Sequence, residues 1–220
     1  MMIPLMTEMS SWWQFAFMRH ALVAVLLVSP LFALIGGLVI NHRMAFYADA
    51  IGHAALTGTA IGVLLGLRNP TAAIPIFSIL LAVLITFFRR QGTAPSDAVI
   101  GLTMSIAVAA GLVILSRGGQ FGRYVPLLIG DILTLDRVDL VRLAILSVLT
   151  LLAALRFFNA VYLMTLNRSL ALSRGLPVWG VELGFSVFVA AVVAFCIPWL
   201  GLLVVNALLI LPAAAARNVA

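Results

Sequence analysis

Seven apolar runs follow one another from residue 19 to residue 213, at 19–40, 50–67, 71–88, 98–116, 138–158, 179–197 and 199–213. A helix needs roughly 20 apolar residues to cross the hydrocarbon layer of a bilayer. No water reaches the backbone inside that layer, so each run has to satisfy its own amides by coiling into an α-helix. Breakers fall between the runs: Asn41-His42-Arg43, Arg68-Asn69-Pro70, Arg89-Arg90-Gln91-Gly92 and Arg117-Gly118-Gly119-Gln120. The pattern predicts an all-α, polytopic transmembrane helical bundle of about seven spans, forming one domain over residues 1–220. Ile197-Pro198-Trp199 leaves hardly any loop between the last two runs, which predicts a helical hairpin or a broken helix.

Composition excludes the soluble alternative. Hydrophobic residues make up 64% of the 220 and charged residues only 9%, against about 25% charged in a soluble domain. All thirteen basic residues are Arg, and the formal charge is +6. They stand singly or in pairs between apolar runs, as loop anchors facing anionic headgroups do. No basic aromatic platform exists for nucleic acid. The first run is too long for the core of a signal peptide and lacks a small-residue cleavage site nearby, so it is read as the first span. Cys196, the single cysteine, has no partner for an internal disulfide.

Two stretches are long enough to hold more than a turn. One is Gly118–Arg137, with Gly130-Asp131-Ile132-Leu133 inside it. The other is Asn159–Pro177. Within the second, Leu166, Leu170 and Ala171 recur at helical spacing, Arg168 and Arg174 lie off that stripe, and Gly175 then Pro177 stop it, which predicts a short amphipathic helix. Charge does not decide the orientation. If Asn159–Pro177 is cytoplasmic, Arg43, Arg89, Arg90, Arg156, Arg168, Arg174 and Arg217 lie inside and the other six Arg outside.

The residues with most chemistry enter the second run: Arg43-Met44-Ala45-Phe46-Tyr47-Ala48-Asp49-Ala50-Ile51-Gly52-His53-Ala54-Ala55. Asp49 and His53 are four apart and share a helix face. A carboxylate and an imidazole so placed can both reach one divalent cation, and the donor pair suits zinc or manganese. The spacing equally fits an Asp–His pair, a pair with a loop Arg, or a cap at the helix start. Thr57, one turn on, could add a hydroxyl or position a water. Beside this face runs a ridge of small residues, Ala50, Ala54, Gly58, Gly62 and Gly66, at four-residue steps. Such a ridge lets another helix approach closely. A two-fold dimer would bring two Asp and two His together. Glu182 reads as interfacial or as lining a pathway, Asn206 as a cross-helix hydrogen bond, and His20 and His42 as interfacial residues flanking the first span. No phosphate-binding loop is present, so the chain is not expected to hydrolyse ATP.

At these residues the sequence resembles the permease subunits of ABC importers for zinc, manganese and iron. The Arg43–Ala55 segment resembles that family's signature. Gly130-Asp131-Ile132-Leu133 resembles its mid-chain element, Asn167–Gly175 its coupling helix, and Gly201–Arg217 its late-helix motif. The resemblance implies that Asp49 and His53 bind the transported ion. It implies that Asn167, Arg168, Leu170, Ala171, Arg174 and Gly175 dock a separate cytoplasmic ATPase. It further implies a homodimer in a bacterial inner membrane, an extracytoplasmic metal-binding protein that delivers the ion, and no tightly bound cofactor. Members of that family continue through at least one more spanning helix, so the 1–220 domain is read as lacking a C-terminal helix or helices. Three other readings compete. One is a permease for a metal chelate such as a siderophore or cobalamin. Another is a proton-coupled secondary carrier using Asp49 and Glu182. The last is an intramembrane metalloenzyme, which lacks a third ligand, a His-Glu-x-x-His motif and a nucleophile.

Overall fold

The structure is a computed structural model that describes residues 14–42, 44–92, 95–119, 121–124 and 126–219. Seven long helices correspond to the seven apolar runs: α1 (Ala16–Asn41), α2 (Ala45–Leu64), α3 (Ala73–Arg90), α4 (Ser96–Arg117), α7 (Arg137–Leu166), α9 (Val178–Leu200) and α10 (Leu202–Val219). Between them, among the described residues, lie three short helices, α5 (Phe121–Tyr124), α6 (Pro126–Ile129) and α8 (Arg168–Ser173), and two 3-10 turns, Pro70–Ala72 and Ile132–Thr134. Among the described residues there is no strand.

Among the described residues five helical segments are long and apolar enough to cross a membrane: α1, α3 with its 3-10 lead, α4, α7 and α9. The other two long helices are α2 and α10. α2 carries Asp49, His53, Thr57 and Thr59 and is the most enclosed part of the bundle. It packs against α3, α4, α9 and α10, and most of its described side chains are buried. A helix lined by protein on most sides does not have to be as apolar as one that faces lipid.

α7 is the opposite case. Its most apolar stretch is only 11% buried in the molecule, against 56% for α9. Val138, Val141, Ile145, Val148, Leu152 and Leu155 form an exposed stripe at alternating three- and four-residue steps. An apolar stripe of that length on the outside of a bundle is a lipid-facing surface.

Helix boundaries depart from the apolar runs where packing or backbone geometry overrides hydropathy. α7 continues through 159–166, residues expected to lie outside the span. Pro198 sits inside α9, so the chain does not break at Ile197-Pro198-Trp199. It breaks at Gly201, whose φ of 78° is a left-handed conformation that favours glycine. Gly130, at φ 75°, presses its backbone against Leu200 and Gly201, and neither glycine has room for a Cβ. The end of α6 is thereby locked to the start of α10. Asp131 holds the next turn by accepting a hydrogen bond from the Leu133 N–H at 3.1 Å.

Candidate metal site

α2 begins at Ala45, five residues before the apolar run. Asp49 and His53 are therefore in its second and third turns. Phe46, Asp49 and His53 are the side chains that interrupt the burial of the helix between Phe46 and Ala60. The His53 side chain is 30% exposed and that of Asp49 33%, with His53 Nε2 3.6 Å from Asp49 Oδ1. At that separation the imidazole and the carboxylate share a space without a tight hydrogen bond. The Asn206 side chain on α10 donates from Nδ2 to the same Asp49 oxygen at 2.7 Å. Asn206 was expected to bond across helices, and it does so to the carboxylate of the candidate pair.

One turn earlier α10 already touches α2. Leu202 lies directly over Gly52, where any side chain would collide with its Cδ1. A glycine at 52 lets α10 lie against α2 at that depth, and Asn206 then arrives beside Asp49. This contact joins residues 157 apart in sequence. A lone polar residue in an apolar run was the only sequence signal for it, and that signal does not name the partner.

Other expected residues are placed differently. Thr57 is buried, and its hydroxyl donates to the Ala107 carbonyl at 2.6 Å. Gly111 gives α4 the room to approach it. Thr57 thus ties α2 to α4 and is not open beside His53. The small-residue ridge is occupied within the chain. Ala50 and Ala54 are fully buried, Gly58 faces the backbone of Ile74, and Gly62 faces Pro70. Gly66 is not part of the seam: it lies beyond the end of α2 with open space around it, at φ 66°.

Glu182 meets Arg89, with Oε1 3.9 Å from Nη1. This pair forms a second polar cluster at the α2 entrance. His42 stacks on Phe185 at 5.1 Å between ring centroids, and the Tyr47 hydroxyl donates to the Ser186 carbonyl at 2.8 Å. Arg89, read from sequence as a loop anchor, is instead largely buried, with Nε and Nη1 lacking hydrogen-bond partners among the described residues. His20 ties the other end of α1 to the Leu135 carbonyl, 3.1 Å from Nδ1.

In the Asn159–Pro177 stretch the short helix is α8. The Asn167 side chain caps it by accepting from Ser169 N at 2.9 Å and Leu170 N at 3.1 Å. Gly175, at φ 72°, ends it, and the Leu176 N–H returns to the Ala171 carbonyl. The expected apolar stripe does not pack as a unit. Ala171 is buried, while Leu166, Leu170 and Leu172 are exposed. Apolar side chains therefore point away from the bundle at this end. The side chain of Arg168 lies outside the described residues.

Among the described residues no group of three or more His, Cys, Asp or Glu is assembled. One copy of the chain brings a carboxylate and an imidazole to the open face of its central helix, and an amide behind the carboxylate.

The sequence model of the ABC 3 transport family matches residues 14–220. The chain belongs to that family. It is 28% identical to the manganese import system permease protein ScaB of Streptococcus gordonii over 92% of this chain and 72% of that one. It is 26% identical to the high-affinity zinc uptake system membrane protein ZnuB of Haemophilus influenzae, over 94% and 79%. An uncharacterized membrane protein of Synechocystis is 30% identical over 92% and 72%. In three dimensions the chain is similar to a solved structure, PsaBC from Streptococcus pneumoniae in complex with Fab. The TM-score is 0.78 at 26% identity, covering 97% of this chain and 76% of that one. The chain is thus a multi-pass membrane subunit of the metal ABC permease kind, a transport subunit with the all-α fold expected of it.

Proposed function

We propose that two copies of this chain form the pathway of an ATP-driven importer for zinc, manganese or iron(II), with Asp49 and His53 of each copy as ligands of the passing ion. The observation that carries this reading is the open face of α2. Buried helices in lipid satisfy their polar groups internally, and an ionisable residue left open inside a bundle marks a substrate or ion route. Two copies supply two carboxylates and two imidazoles, four donors of the type divalent transition metals take. A closed cage would trap the ion. A site that is a third open in each copy suits transient binding.

ATP hydrolysis falls to a separate cytoplasmic ATPase that docks on α8, with Asn167, Arg168, Leu170, Ala171, Arg174 and Gly175 at the contact. The exposed Leu170 and Leu172 supply the apolar contact that a docking helix needs. This places the α8 end of the bundle in the cytoplasm of a bacterial cell and the Gly130–Gly201 end outside, where a metal-binding protein delivers the ion. The manganese and zinc permeases among the relatives support the cargo class.

The test is uptake into proteoliposomes that carry the chain with an ABC ATPase partner. Metal entry is expected to require ATP and to fall at least a hundredfold in Asp49→Ala and in His53→Ala. Leu170→Glu is expected to release the ATPase on co-purification. Uptake driven by a proton gradient without the ATPase would overturn the reading.

A further inference from the structure

Asn206 carries an observation that plain packing does not account for. Its amide donates to Asp49 Oδ1 at 2.7 Å, which fixes which way the amide faces, because its oxygen and the carboxylate oxygen are both acceptors. The amide oxygen is then buried with no hydrogen-bond partner among the described residues. An apolar side chain in the same place would leave no such orphan. Leu202, one turn before Asn206 on the same face of α10, packs over Gly52.

The consequence is for the carboxylate. Asp49 Oδ1 is engaged by Asn206 and lies 3.6 Å from His53 Nε2. The Asn206 bond takes one lone pair of Oδ1 and weakens that oxygen as a donor, which leaves Oδ2 as the better ligand for an arriving ion. A carboxylate held to one oxygen contributes one bond. Two such carboxylates with two imidazoles give four donors, the tetrahedral number that zinc prefers. Manganese(II) favours oxygen-rich, octahedral surroundings, which carboxylates free to bind through both oxygens would better supply.

We infer that Asn206 is a specificity-determining residue: by occupying one oxygen of Asp49 it steers the pathway toward zinc over manganese. The inference rests on the reading of Asp49 and His53 as ligands of the cargo. Asn206 acts through Asp49 and is a positioning residue.

The experiment measures kcat/KM for zinc and for manganese uptake, singly and in competition, in proteoliposomes of the chain with its ATPase partner. Wild type is compared with Asn206→Leu, which fills similar volume without a donor, and Asn206→Asp, which is isosteric and, when ionised, only accepts. Wild type is expected to favour zinc. Both variants are expected to lower the zinc-to-manganese ratio about tenfold, the scale on which groups that orient metal ligands act, through the KM for zinc more than through kcat. A ratio within twofold of wild type, equal losses for both ions, or a wild type that prefers manganese overturns the inference. An Asp49→Ala control separates the two readings. If it abolishes uptake while the ratio stays fixed, only the role of Asn206 fails. If uptake survives Asp49→Ala, the cargo-ligand reading fails and the inference falls with it.

Discussion

The two halves of α2 carry polar side chains at helical spacing and treat them in opposite ways. In the second half, Thr57 donates to the Ala107 carbonyl and Thr59 to the Ala55 carbonyl, both fully buried. Gly58 and Gly62 are covered by the backbone of the α3 segment. In the first half, Asp49 and His53 stay about a third exposed, and the carboxylate is steadied by one amide from α10. The second half is packing, with every hydroxyl satisfied inside the chain. The first half keeps donors open to something that is not part of the chain. Polarity within a span does not separate these roles, and satisfaction does.

The largest effect that can break this comparison is expected at Gly62. A Cβ there would stand 2.8 Å from the Pro70 Cα and closer still to the Pro70 carbonyl. The obstacle is backbone, which cannot swing aside. Gly62→Leu is expected to destabilise by at least the 1–3 kcal/mol typical of overpacking, read as lost monodisperse protein in detergent. Phe46→Ala, on the open face, is expected to leave the fold intact. A monodisperse Gly62→Leu protein with wild-type thermal stability would mean that the ridge is not an internal seam.

A smaller effect is expected at Thr57, and it tests the boundary between the halves. Thr57→Val keeps the shape and removes the 2.6 Å bond to Ala107. Loss of one such bond costs about 0.5–1.5 kcal/mol, and interhelical bonds in membranes average near 0.6. Thermal stability should drop by a few degrees while the KM for metal stays within twofold of wild type. A KM change as large as that of His53→Ala would move Thr57 into the site and dissolve the division.

Much of this fold could be read from the sequence, because seven apolar runs in lipid leave few alternatives to seven helices. The Asp49–His53 pair was equally accessible, since four-residue spacing places both on one face. What the runs could not carry is the third dimension. The spacing that groups Asp49 with His53 also suggests Thr57, but Gly111 lets α4 close over that turn. Pro198 is the louder breaker in its segment. A proline within a helix forfeits one amide bond, whereas Gly201 adopts a backbone conformation that ends the helix. The partner of Asp49 lies 157 residues away, and Arg89 gave no sign in sequence of turning inward to Glu182.

The smallest expected effect concerns that inward cluster, which stands between the two halves of α2 in kind: it is buried but incompletely satisfied. His42 lies in the turn between α1 and α2. Burial lowers its pKa from the usual 6.5, Arg89 adds to the lowering, and Glu182 and the hydrogen bond with the Val161 backbone oppose it. Its Nε2 is buried without a partner among the described residues. The folded protein therefore holds this imidazole neutral more firmly than the unfolded chain does. The stability this contributes is fully present above about pH 6.5 and is lost as pH falls through the lowered folded-state pKa, because the unfolded chain takes up the proton first. Melting temperature in detergent should decline shallowly from pH 7.5 to pH 5.5, and His42→Gln should flatten part of that decline. An unchanged slope in His42→Gln would show that the cluster tolerates charge at His42. In that case it would resemble the open first half of α2 more than the sealed second half.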